Sequence, residues 1–154
     1  MLVEVSGFVC PKVKNDIIKA VRFYSVILIP KHIRNEIAIY VDRTPDHELH
    51  GETFSDDDEN RTFTISIRDG CEDDSIYQTI AHEMVHVKQW STGILKHIWS
   101  DEVSKYIEYW NGVPWRASLY QHPYFDSPWE IQSYGQEAGL YWRWKQFQLG
   151  LPWR

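Results

Sequence analysis

Several features that would assign the chain to a broad class of protein are missing from its sequence. The longest strongly apolar stretch, FYSVILIP, is far shorter than the roughly 20 residues that a membrane-spanning helix needs, so we predict no membrane association. The N-terminal stretch MLVEVSGFVC carries Glu4 inside a short apolar run and has no basic segment, unlike a secretory signal. These absences predict a cytoplasmic protein.

Cysteine and positive charge are also scarce. Cys10 and Cys71 form no CxxC pattern of the kind that binds metal or carries out redox chemistry. The 16 Lys and Arg residues are outnumbered by 22 Asp and Glu residues, and the net charge is −6. Because nucleic-acid binding depends on a basic surface, we predict no nucleic-acid partner.

The chain does have the length and composition of one folded domain. Of its 154 residues 43% are hydrophobic and 25% charged, so we predict a single domain over residues 1–154. Apolar residues at helical spacing predict a first helix in NDIIKAVRFYSVIL, with a cap at Asn15 or Asp16 and an end near Pro30. The β-branched and aromatic residues of EIAIYVD and RTFTISIRD predict strands, separated by an acidic, turn-rich stretch.

The second half of the chain contains two further helices and a hairpin. DDSIYQTIAHEMVHVKQWSTG predicts a helix that acidic and capping residues open and Gly93 ends. Asn111-Gly112 between two aromatic-rich runs predicts a tight hairpin. SPWEIQSYGQEAGLYWRWKQF predicts a C-terminal helix with Pro128 at its first position. The predicted fold class is therefore α+β, with a small sheet beside the central helix, a hairpin and a C-terminal helix.

The central helix contains the pattern His-Glu-x-x-His. His82 and His86 are four residues apart, so both imidazoles lie on one helix face and can reach one zinc ion. Glu83 lies at the edge of that face, where it can take a proton from an attacking water and deliver it to a leaving amine. This spacing predicts a catalytic zinc site with one ion per chain, in which Glu83 is the general base.

The phase of the same helix supports this interpretation. Its apolar residues cluster on the side roughly opposite His82 and His86; they are Ile76, Ile80, Met84 and Val87. The alternative is a helix in which the motif occurs by chance, with two surface histidines and a solvated glutamate. Helix phase, capping residues and the expected compartment favour the zinc site.

The third ligand lies further along the chain. The spacing of a third histidine typical of metzincins is absent. Four later residues can supply the ligand: His97, His122, Glu130 and Glu137. Glu130 would complete a set of two histidines and one glutamate.

Glu130 also has a purely structural interpretation. Ser127-Pro128-Trp129-Glu130 matches a capping box, in which the glutamate bonds back to the first turn of its own helix. Glu137 lies two turns further on the same face, where it can replace Glu130 as a ligand or support a ligand from outside. The residues alone leave the choice open.

HExxH followed by a glutamate on a second helix resembles the gluzincin group of zinc metallopeptidases. WNGVPW followed by PWEIQSYGQEAGLY is also similar to small metallopeptidase-like proteins of bacteriophages, in which sequences like PWEIEAYG recur. The similarity covers roughly residues 74–142, and HExxH is its most specific part. Gln132 and Ser133 depart from the Glu and Ala that are commoner at these places.

This resemblance implies a zincin-like fold and a peptide or protein substrate. It favours Glu130 as the third zinc ligand, and it implies that strand 62–68 borders the active-site cleft, where its free edge could hold an extended peptide. The oxyanion of such a reaction also needs a stabilising donor, for which Tyr134 and His122 are the candidates. A viral origin would place the protein in a host cytoplasm. The alternative function is a zinc-stabilised binding or regulatory module with little or no hydrolytic activity.

Overall fold

The computed structural model of the chain describes residues 1–7, 10–44, 50–68, 75–115 and 124–153. Its larger sheet has four strands in the order β1-β2-β4-β3. In chain order these strands are β1 (Leu2–Ser6), β2 (Ala38–Thr44), β3 (Gly51–Ser55) and β4 (Thr62–Arg68). β1, β2 and β4 are parallel to one another, whereas β3 pairs with β4 in the antiparallel direction.

Alternation of side chains along the parallel strands gives this sheet one buried face. Every second residue of β2 and β4 is buried, which confirms both predicted strands and follows from the two-residue period of a strand. The side chains of this face form the centre of the hydrophobic core; they are Val3, Val5, Ile39, Val41, Phe63, Ile65 and Ile67.

Two long helices, α1 (Pro11–Leu28) and α3 (Ser75–Ser91), pack against the sheet, and a third, α4 (Pro128–Gln148), packs on both of them. The short α2 (Lys31–Arg34) follows α1. α1 begins at Pro11 rather than at the predicted cap of Asn15 or Asp16. The first turn contains a proline, which lacks the N–H that would be unpaired there, and the N-cap is Cys10, five residues before Asn15.

The smaller sheet confirms the predicted hairpin. It consists of β5 (Leu95–Ser100), β6 (Lys105–Trp110) and β7 (Val113–Pro114), in that order. Asn111 and Gly112 between β6 and β7 both have positive φ, at 51° and 79°. These angles are what a two-residue hairpin turn requires of its central residues. β5 was not predicted.

The C-terminal helix is attached to the rest of the molecule through aromatic side chains. Trp144 is fully buried, and its ring lies 5.6 Å from that of Phe23 on α1 and 5.8 Å from that of Tyr77 on α3. Phe147 and Trp153 also contact the Phe23 ring. This packing fixes α4 against both α1 and α3, and it positions the face of α4 that meets the histidines.

One prediction about the cleft is wrong. Strand 62–68, which is β4, lies inside the sheet between β2 and β3, so it has no free edge. In the described part of the chain the strand at this edge is β3, which lies within the acidic stretch that was interpreted as turns. A sheet edge beside α3 is therefore present, but a different strand provides it.

The mixed α+β class and the single small domain are confirmed. The structure has a mainly parallel sheet packed against α1 and α3, with α4 on these two helices and a separate small sheet that includes the hairpin. Among the described residues, no helix combines the length and the apolarity needed to cross a bilayer.

Candidate metal centre

α3 is buried on nearly all sides. Twelve of its 17 residues are buried, because the sheet and α1 cover its apolar side while α4 covers the other. His82, Glu83 and His86 are only 8%, 4% and 7% exposed. The two histidines therefore face α4 instead of solvent, although their sequence pattern places them opposite the core-facing residues.

Three side chains from α3 and α4 meet at one point. The Nε2 atom of His82 lies 3.2 Å from Oε2 of Glu130, and Nε2 of His86 lies 3.3 Å from Oε1 of the same carboxylate. The two Nε2 atoms are 3.2 Å apart. Across the described residues, His82, His86 and Glu130 are the one set of three such side chains whose ligand atoms lie within 4.8 Å of one another. This group can hold a metal ion.

The Ser127 half of the predicted capping box does not form. Ser127 is the N-cap of α4, but its side chain makes no capping hydrogen bond. The Glu130 carboxylate is instead buried against the two histidines, with 3% of its side chain exposed. Its position in the first turn of α4 also suits a negative charge, since the helix dipole is positive there.

Glu137 lies outside this set of three. Its Oε2 atom is 2.7 Å from Nδ1 of His82, the ring nitrogen that faces away from Glu130. Its other oxygen accepts a hydrogen bond of 2.8 Å from Nε2 of Gln78. Glu137 therefore bonds the ring nitrogen of His82 that points away from Glu130. Its carboxylate is not part of the set of three donor side chains.

The donor atoms fit a cation. With Nδ1 of each histidine engaged elsewhere, both Nε2 lone pairs and two carboxylate oxygens face one small volume. Such an arrangement is repulsive unless a proton or a metal ion lies between them. Burial alone lowers the pKa of His82, but its hydrogen bonds to Glu130 and Glu137 outweigh this and raise that pKa to about 9. The carboxylates around His82 therefore favour a positive charge at this place.

Glu83 faces the sheet edge beside this group. The hydroxyl of Thr53 on β3 donates a 2.8 Å hydrogen bond to Oε2 of Glu83. Burial raises the pKa of Glu83, and the charges of His86 and His82 lower it only in part. A carboxylate with a raised pKa, held by one hydrogen bond, is suited to accept and return a proton.

Gly51 permits this close approach of β3 to α3. A Cβ atom at Gly51 would lie 2.6 Å from Cγ2 of Thr79 and 2.7 Å from Oε1 of Glu83. Real Cβ atoms do not come this close to other atoms, so any larger residue would displace the strand or Glu83.

The remaining candidates from the sequence have different surroundings. His97 on β5 packs against Trp90, and its Nε2 lies 3.8 Å from Oε1 of Glu108, so it is not part of the group. The ring of Tyr134 lies 4.6 Å from that of His82. Burial and the charges of Glu130 and Glu137 raise the pKa of Tyr134. His122 lies outside the described residues.

Sequence reasoning missed two contacts of the site. Thr53 lies in the stretch that was interpreted as turns, and no local pattern connects it with Glu83, 30 positions away. Gln89 follows His86 by three residues, so one helix face carries both. The three-residue spacing of His86 and Gln89 is visible in the sequence, whereas the burial of Gln89 is evident only from the fold.

A groove runs along the sheet edge next to this group. Its volume is about 910 Å³. β3 forms one wall, and the end of α3 with the β5–β6 sheet forms the other; the lining includes Thr53, Phe54, Asp58, Trp90, His97 and Tyr106. Thr53, whose hydroxyl bonds Glu83, is the link between this groove and the site, since neither Glu83 nor the three candidate ligands line the groove.

No protein-family model, curated protein or solved structure matches this chain. The functional interpretation therefore depends on the geometry of the site.

Proposed function

We propose that this protein is a zinc-dependent peptidase with a zincin-like fold, in which His82, His86 and Glu130 hold one zinc ion. The observation that carries this proposal is the convergence of three buried side chains within the electrostatic reach of the buried Glu83 carboxylate, whose pKa the charges of His86 and His82 lower. Two imidazoles and one carboxylate are a ligand set found in catalytic zinc sites, which leave a further position open.

The chain's own residues would perform the proton transfers. Zinc, when bound, would supply Lewis acidity that activates water and polarises a carbonyl. Glu83 would accept a proton from the attacking water and pass it to the nitrogen of the leaving amine. The Thr53 hydroxyl would keep the Glu83 carboxylate oriented towards that water.

Tyr134 is the described residue best placed to stabilise developing negative charge. Its ring packs against His82, and nearly half of the residue is exposed, so its hydroxyl can reach a substrate. A phenol donates one strong hydrogen bond to an oxyanion. The raised pKa of Tyr134 keeps the proton on the hydroxyl at neutral pH.

The substrate would lie along β3. Since β3 forms the edge of the described sheet and its Thr53 contacts Glu83, an extended peptide pairing with β3 would pass directly in front of the general base. The adjoining groove of about 910 Å³ is large enough to hold several side chains of such a peptide.

The test combines metal content with hydrolysis. Zinc is measured by elemental analysis in wild type, Glu130→Ala and Glu83→Gln, all purified without chelator, and each protein is incubated with a mixed peptide library that is analysed by mass spectrometry. We expect about one zinc per chain in wild type and in Glu83→Gln, and no stoichiometric zinc in Glu130→Ala. Hydrolysis should fall by roughly 10²–10⁴-fold in Glu83→Gln.

Two outcomes would contradict the proposal. Wild type that takes up no zinc, even when zinc is added back, would exclude the metal site. Zinc-loaded wild type that cleaves peptides no faster than Glu83→Gln would exclude the peptidase and leave a zinc-stabilised binding module.

A further inference from the structure

Gln89 is an uncharged polar side chain in the interior of the molecule. It is fully buried at the interface of α3 and α4. Burying an amide without hydrogen-bond partners costs several kcal/mol, so partners are expected. Gln89 has three, and two of them belong to α4.

The contacts of Gln89 determine which way its amide faces. Nε2 of Gln89 donates to the backbone carbonyl of Trp129 at 3.0 Å and to Oε1 of Gln132 at 3.1 Å. A backbone carbonyl can only accept a hydrogen bond, so the amide nitrogen must be on the α4 side. The amide oxygen of Gln89 must then face His86, where it lies 2.8 Å from Nδ1.

This orientation determines the tautomer of His86. An amide oxygen cannot donate, so Nδ1 of His86 carries the proton and donates it to Gln89. A neutral imidazole has one N–H, and Nε2 therefore presents a lone pair. That lone pair faces Glu130, whose Oε1 is 3.3 Å away.

We propose that Gln89 is a positioning residue of the metal centre, which holds His86 with Nδ1 protonated and Nε2 free to ligate. The proposal rests on the zinc site of the proposed function. Gln89 does for His86 what Glu137 does for His82, but it uses a neutral amide. It also ties His86 to the carbonyl of the residue that precedes Glu130, so one side chain aligns ligands from both helices.

Two variants of Gln89 separate this role from simple packing. Gln89→Met has a similar length but lacks both the amide oxygen and the amide nitrogen. Gln89→Glu keeps an oxygen that can accept the proton of His86. Gln132→Met is the matched control, because it removes a partner of the Gln89 nitrogen and leaves the contact with His86 in place.

Zinc affinity is measured for these proteins by competition with a chromophoric chelator, and folding is checked by urea unfolding. We expect Gln89→Met to bind zinc about 10–100-fold more weakly than wild type, as is usual when a partner of a ligating histidine is lost. Gln89→Glu should recover at least tenfold of that loss, and Gln132→Met should stay within about threefold of wild type. A folded Gln89→Met with wild-type affinity, or a Gln89→Glu no better than Gln89→Met, would overturn the proposal.

The protonation of His86 tests the same idea without zinc. The ¹⁵N shifts of the His86 ring in wild type, with and without zinc, report whether Nδ1 carries a proton. A protonated Nδ1 in both states supports the role of Gln89, and an unprotonated Nδ1 in either state contradicts it. If wild type binds no zinc, the proposed function fails, while the metal-free spectrum still decides the hydrogen bond from His86 to Gln89.

Discussion

At the scale of single residues, the contact between α3 and α4 depends on the small size of Ser133. This serine is fully buried, and its hydroxyl donates to the carbonyl of Trp129 at 2.9 Å and lies 3.5 Å from Nδ1 of His86. A longer side chain at this position would occupy the space of His86.

Two substitutions of Ser133 should therefore have opposite outcomes. Ser133→Ala should bind zinc with nearly unchanged affinity, because the hydroxyl mainly bonds within its own helix. Ser133→Leu should weaken zinc binding by at least tenfold, because the added atoms push His86 away from Glu130. Chelator competition measures both affinities. Equal zinc affinities in the two variants would show that a leucine fits at position 133 without displacing His86.

Glu137 provides a second prediction for a single residue. Glu137→Gln should weaken zinc binding by about 10–100-fold without abolishing it, since the carboxylate orients His82 from behind and is not itself a ligand. Glu108→Gln is the matched control, because this carboxylate faces His97, outside the metal group. Complete loss of zinc in Glu137→Gln, measured by elemental analysis, would instead make Glu137 a ligand.

The residues of the site differ in how far the sequence could predict them. His82, Glu83 and His86 belong to one helix, where a spacing of four residues fixes their relative positions. Glu130 lies on a second helix, so its place beside the histidines depends on how the two helices pack. The sequence alone therefore could not decide between Glu130 and Glu137 as the third ligand. Local sequence patterns could not predict the contact between Thr53 and Glu83, because these residues are 30 positions apart and meet only when the chain is folded.

At the scale of elements, β3 and α3 are in contact across Gly51. We expect Gly51→Ala to lower peptide hydrolysis by at least tenfold while zinc binding is retained, because the new methyl group collides with Thr79 and Glu83 and not with the ligands. Gly135→Ala on α4 is the control. No atom lies within 4 Å of its added Cβ, and alanine in a helix should raise the free energy of unfolding by about 0.5–1 kcal/mol.

Kinetic and urea-unfolding measurements distinguish these two glycine variants. If Gly51→Ala hydrolyses peptides as fast as wild type, the strand can move away without disturbing Glu83, and the close packing is not required for activity.

The helices were easier to predict than the strands. α3 has apolar residues at helical spacing and Gly93, with φ of 72°, after its end, whereas α4 is specified by the proline at its first position and its length. β3 has the sequence GETFS and alternates neither in polarity nor in burial. β5 buries only Leu95 fully. Their partner strands, β4 and β6, supply the hydrogen bonds that define them.

At the scale of the whole molecule, aromatic packing holds α4, which carries Glu130, against α1 and α3. Trp144 is 1% exposed, whereas Trp142 two residues earlier is 68% exposed. Trp144→Ala should therefore lower the free energy of unfolding by about 3–5 kcal/mol, through the cavity that it leaves among Phe23, Tyr24 and Tyr77. Trp142→Ala should change it by less than about 0.5 kcal/mol.

Urea unfolding of the two tryptophan variants measures this difference. Similar unfolding midpoints for both would mean that α4 is not anchored by Trp144, and that the ligand Glu130 is held in place by other contacts.

The exposed edge of the larger sheet has a consequence for the solubility of the protein. An open strand edge pairs with any extended segment, and a second copy of the same chain offers one. β3 is only five residues long, which limits such pairing, but its Phe54 is 43% exposed. We therefore expect association at high protein concentration to begin at this strand, and a peptide paired with it to oppose that association.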